Sequence, residues 1–195
     1  MNKWELPLSV NINGKEYPIS NECDYRVVRD IFEMDNDDTI PQEYKAFCAL
    51  IMFYEDINDI SDITKEDFDV EIALREMRNI IDENDESEKS EENGENILHL
   101  VDWKQDFELI VPAVNRVLGY DVRTTTRRTH WWTFLAAYKE MPRDSTFVYV
   151  VNIRKKKMKG KKLDKSEQEY YNENRKIIDL KNTLSPEEEE WLFNG

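Results

Sequence analysis

The stretch Leu8-Ser9-Val10-Asn11-Ile12-Asn13-Gly14-Lys15-Glu16-Tyr17-Pro18-Ile19-Ser20 decides the reading of the chain. Apolar residues alternate with polar ones on both sides of Asn13-Gly14, a pair that lets both central positions of a type I′ turn take positive φ. Residues 1–20 are therefore predicted to hold a short β-hairpin. A two-stranded hairpin is marginal alone in water, so it needs a body to lie against. After Ser20 the apolar period lengthens from two to about 3.6, and the body is predicted to be helical. The fold class expected is mainly α, a helical domain with a short N-terminal β-hairpin.

Working outward, Tyr25, Val28, Ile31 and Phe32 share one helical face, which ends at Asn36-Asp37-Asp38 before Pro41. A second set, Tyr44, Phe47, Cys48, Ile51 and Tyr54, keeps the i, i+3, i+4, i+7 spacing. A third helix is predicted to start at Thr64, with Asp67 completing a capping box. Residues 82–95 carry eight acids, one lysine and no apolar side chain, so a mobile acidic loop is expected there. The stripe of Trp103, Phe107, Ile110, Val114, Val117 and Leu118 predicts a helix through Leu98–Leu118 with Gly119 closing it, and Pro112 implies a kink near Glu108 or a junction of two helices. His130 to Leu135 and Phe147 to Ile153 are both read as helices. Asp164 with Glu167 signals the start of another, and Ser185-Pro186-Glu187-Glu188 the start of the last.

At 195 residues and 23.4 kDa, residues 1–195 are read as a single helical domain. Leu, Ile, Val and Phe make up a quarter of the residues, enough apolar material to fold despite 35% charged side chains. No apolar run reaches the length needed to cross a bilayer, and Met1 to Glu5 lacks the apolar core of a secretion signal. A cytoplasmic protein is expected. The net charge of −15 divides into −19 over residues 1–120 and +4 over residues 121–195. So acidic a body argues against membranes and against nonspecific nucleic-acid binding.

No catalytic, cofactor or metal site is expected. The five glycines are too scattered for a phosphate-cradling loop. With two cysteines and two histidines there is neither zinc spacing nor a disulfide framework, and Cys23 and Cys48 read as small core residues. His130 has no nucleophile beside it and reads as a cap or core-edge group. Asp102 and Asp106 lie one turn apart, and in so acidic a protein they read as a solvated helix face.

Two features are candidates for partner binding. Trp131 and Trp132 are about 100° apart around a helix axis, so one is expected in the core and the other in a groove or on a self-association surface, flanked by Phe134 and Leu135. The run Arg154, Lys155, Lys156, Lys157 opens a segment with eight positive side chains in residues 154–165. It suits an acidic protein surface or a second copy of the chain, with nucleic acid as the rival ligand.

Specific motifs carry a family resemblance. They are Val101-Asp102-Trp103-Lys104-Gln105-Asp106, Gly119-Tyr120-Asp121, His130-Trp131-Trp132-Thr133-Phe134-Leu135, Ile153-Arg154-Lys155-Lys156-Lys157, Lys159-Gly160-Lys161-Lys162-Leu163 and the step from Tyr171 to Asn174. In this order they resemble the bacteriophage gene-product-fifteen family, encoded in tail modules of phages and prophages of low-GC Gram-positive bacteria. The likeness covers most of residues 98–181 and the hairpin with Asn13-Gly14-Lys15, and is weaker over 33–97. Val111-Pro112 departs from the family pattern. The resemblance implies a non-enzymatic tail assembly chaperone, acting in the host cytoplasm on the tape-measure protein and the tail tube protein, and absent from the mature virion. The alternative is a structural minor tail or connector protein, or a nucleic-acid-contacting factor using residues 154–165.

Overall fold

Strands β1 (Ser9–Ile12) and β2 (Lys15–Pro18) form an antiparallel hairpin, with Val10 opposite Tyr17 and Ile12 opposite Lys15. At its tip Asn13 and Gly14 both adopt positive φ, 51° and 89°, as the Asn-Gly pair predicts. In this computed structural model residues 5–82, 100–124 and 126–181 are described. Two compact units, interleaved along the chain, lie within the span 1–195: residues 1–89 with 118–140, and residues 90–117 with 141–195. Apart from Asp82, the acidic segment 82–95 lies outside the described residues, as does the helix expected at Ser185.

In the first unit, the hairpin buries Val10, Ile12 and Tyr17. The Tyr17 ring meets Phe68 and Tyr54 edge-on at centroid distances of 5.2 and 6.4 Å. Helix α1 (Tyr25–Asp35) is capped by Asp24 and presents Tyr25, Val28 and Ile31 to the core, the face anticipated from periodicity. Helix α2 (Gln42–Phe53) begins after Pro41. The predicted start at Thr64 is corrected. Thr64 instead closes a short helix α3 (Ile60–Ile63), and helix α4 (Val70–Ile81) starts after Asp69, whose carboxylate accepts from Ile72 N at 3.0 Å. Asp67, the supposed partner in the cap, pairs with Lys15 of the hairpin at 2.7 Å. Asp69, the residue directly before Val70, is the one whose carboxylate can reach the free amides of the first turn, and it takes the cap.

Helix α5 (Trp103–Leu118) opens the second unit and runs through Pro112 without a break. Pro112 and Glu108 are both exposed, so the carbonyl deprived of its amide partner is on the side where water can satisfy it. After α6 (Trp131–Lys139), which belongs to the first unit, Ser145 caps α7 (Thr146–Met158). The far end of α7 closes in a Schellman arrangement, with Lys161 N donating to Lys156 O at 2.8 Å and Gly160 N to Lys157 O at 3.0 Å. Gly160 takes the left-handed φ of 61° that this cap demands. Asp164 and Glu167 form the anticipated capping box on α8 (Lys165–Glu173), followed by α9 (Arg175–Ile178). Val150, Ile153 and Ile178 form a core there, with Leu109, Leu163 and Tyr170 packed around it.

Candidate functional site

Asp24, Cys23 and His130 organise the junction from which the aromatic segment springs. Asn21, Glu22 and Cys23 form a left-handed turn with φ of 52°, 59° and 57°, a conformation that costs a non-glycine residue about 1–2 kcal/mol. Hydrogen bonds hold it in place. Cys23 O accepts from Trp131 N at 2.7 Å, and Tyr25 N donates to Thr129 O at 2.9 Å. The buried Asp24 carboxylate accepts from Arg26 N, from the Arg26 guanidinium at 2.6 and 3.0 Å, and from Thr129 N at 2.8 Å. Burial alone raises a carboxyl pKa, but these donors outweigh it and hold Asp24 below its ordinary value. Burial also pushes the Cys23 thiol up to about 12, so the sulfur stays protonated and unreactive at neutral pH.

His130 is the N-cap of α6, as the cap reading of its surroundings predicts. Its Nδ1 accepts from Trp132 N at 3.0 Å, so the ring proton is on Nε2, which donates to Pro7 O at 3.0 Å. Protonation of Nδ1 would destroy the cap. Burial lowers the His130 pKa, against the smaller raising effects of the Pro7 bond and of nearby Asp24. The unfolded chain therefore binds this proton more readily than the folded one, and stability rises with pH. We expect thermal stability to fall as pH drops below about 6.5, the unfolded histidine value, and the loss to shrink in His130→Asn, which can cap without titrating. Melting curves of both proteins between pH 7.5 and 5 check this; an unchanged slope in the variant would contradict it.

Trp131 is the core member of the tryptophan pair, 3% exposed, stacked on Phe134 at 5.8 Å and edge-on to Phe32 at 6.1 Å. Phe134 lies parallel to Tyr25 at 4.7 Å and is 1% exposed. Neither ring is available to a partner, which corrects their placement on a binding surface. Trp132 is half-buried. The indole N–H groups of Trp131 and Trp132 donate to Ile81 O and Ile80 O, each at 2.8 Å. Two adjacent tryptophans thus donate to the last two carbonyls of α4, at the end where intrahelical donors run out.

Arg154 is likewise withdrawn from the basic surface proposed on sequence. It is 5% exposed and faces Asp106, which is fully buried, so the solvated reading of Asp106 is also corrected. Arg154 Nη1 and Nη2 reach the two carboxylate oxygens at 2.6 and 2.8 Å. The remaining donors go to Leu100 O at 2.8 Å, Ile177 O at 2.7 Å and Ile178 O at 2.6 Å. All five N–H groups are used. In the same helix Lys156 pairs with Glu167, and Lys157 with Asp179 at 2.5 Å while lying over the Tyr171 ring at 3.8 Å. Lys155 is exposed and makes no ion pair among the described residues. Of the four, Lys155 alone remains a clean probe of partner contact, since reversing Lys156 or Lys157 also disturbs α8 or the segment after it.

The sequence reading missed the Arg154–Asp106 clasp, because partners 48 residues apart carry no local signal. Among the described residues, no group of three or more metal-ligating side chains comes together and no helix is long and apolar enough to cross a membrane. These features define a mainly helical protein whose buried polar groups tie its own segments together. The family described as Bacteriophage Gp15 protein matches residues 3–180, and the chain belongs to that family, one of phage structural, tail-related proteins. No curated protein and no solved structure matches the chain.

Proposed function

We propose that the chain is a non-enzymatic tail assembly chaperone that holds the tape-measure protein, and contacts the tail tube protein, during tail morphogenesis in the host cytoplasm. The family match across residues 3–180 is the observation that carries the reading. The surface supports it. Among the described residues the exposed large apolar side chains are Leu6, Leu8, Tyr44 and Ile60 in the first unit and Val117, Met158 and Ile177 in the second. A surface this rich in charge suits a partner that must be released, since exposed ion pairs each contribute only about 0 to 1 kcal/mol. Mass spectrometry of purified virions tests the assignment. A chaperone is absent from them, whereas stoichiometric recovery of the chain would favour a connector or minor tail protein.

A further inference from the structure

The loop between Gly119 and α6 carries three exposed arginines within the first unit. Arg123 is held by Asp121 at 2.7 and 2.9 Å, and Arg128 by Glu22 at 3.1 Å. Arg127 forms no ion pair among the described residues. Its guanidinium instead lies over the Tyr120 ring, 3.7 Å from the centroid. That platform is fixed at its far end, where the Tyr120 hydroxyl meets Thr129 Oγ1 at 3.1 Å. The backbone beneath is pinned too: Arg127 O accepts from Arg26 at 3.0 Å, and Thr129 N donates to the buried Asp24 at 2.8 Å.

Stacking occupies the face of a guanidinium and leaves its edge, with the N–H fork, for a ligand. A fork already held in place loses little freedom on binding, and its geometry matches the two oxygens of a carboxylate. Arginine and tyrosine are also among the residues that dominate binding energy at interfaces. A nucleic-acid strand would bring many phosphates against a chain of net charge −15, whereas one Asp or Glu side chain brings a single negative charge to the free fork.

We infer that Arg127, mounted on Tyr120, is an anchor for the bound partner and clasps a surface carboxylate of the tape-measure protein in bidentate fashion. The inference rests on the chaperone reading above and places the contact away from the lysine run. The experiment is capture of tagged tape-measure protein by the full chain, titrated to give a dissociation constant, for wild type, Arg127→Ala, Arg127→Lys, Tyr120→Leu and Lys155→Ala. Melting temperatures of all five report folding. Arg127→Ala is expected to weaken capture about tenfold or more. Arg127→Lys should weaken it comparably because it keeps charge but loses the fork, and Tyr120→Leu should weaken it less. Lys155→Ala should bind as wild type does. Wild-type affinity in Arg127→Ala or in Arg127→Lys overturns the bidentate clasp while leaving the chaperone reading standing. Loss of single-stranded DNA retention with capture intact in Arg127→Ala overturns it in favour of nucleic acid. Failure of the wild-type chain to capture the tape measure overturns both.

Discussion

Replacing Arg154 with alanine is expected to destabilise the second unit by about 3–5 kcal/mol, the range for breaking one side of a buried ion pair. The cost is dominated by what remains. Among the described residues the fully buried Asp106 keeps only Asp102 N, at 3.0 Å, as a donor to its carboxylate, while the carbonyls of Leu100, Ile177 and Ile178 each lose a donor, Ile177 keeping Gln105 Nε2 at 3.2 Å. Arg154→Lys should recover little, because an ammonium has three donors on a flexible stem and cannot replace a planar five-donor fork. The double replacement Arg154→Met with Asp106→Leu should be less destabilised than either single variant, since removing both charges removes the unpaired one. Urea unfolding of the full set checks the account. A loss below about 1 kcal/mol in Arg154→Ala would mean that the clasp does not hold these segments together.

The tryptophan pair gives the second large effect. Trp131→Ala is expected to cost about 3–5 kcal/mol, as large-to-small changes in a core do, because its ring packs on Phe134 and Phe32 and no solvent fills the gap. Trp132→Ala should cost less, its ring being half-buried. Phenylalanine at either position keeps much of the packing and removes the indole N–H, so each should cost about 1 kcal/mol for the hydrogen bond lost at the end of α4. Equal losses for the two alanine variants would contradict the assignment of Trp131 as the core member.

Both effects arise from contacts whose partners are far apart in sequence, and that separates the legible from the illegible here. The hairpin was readable because Asn13-Gly14 and the flanking alternation lie within a dozen residues. The caps by Asp164 and His130, and Gly119 after α5, are local too. Thr64 with Asp67 imitates a capping box in the sequence, whereas in the fold Asp67 pairs with Lys15 of the hairpin and Asp69 caps α4. The turn at Asn21–Cys23 left no trace because no glycine marks it. For the binding surface, composition located the basic run but not which cations were already spent. Arg154, Lys156 and Lys157 are engaged within the second unit, while Arg127 stands on a tyrosine in the first.

The most direct test of the account is co-expression of this chain with the tape-measure protein of its own phage, followed by size-exclusion chromatography of the soluble fraction. The tape measure is expected to elute in a soluble complex with the chain, to be insoluble without it, and to be displaced by added tail tube protein. A tape measure that stays insoluble in the presence of the chain, or elutes apart from it, would contradict the chaperone reading.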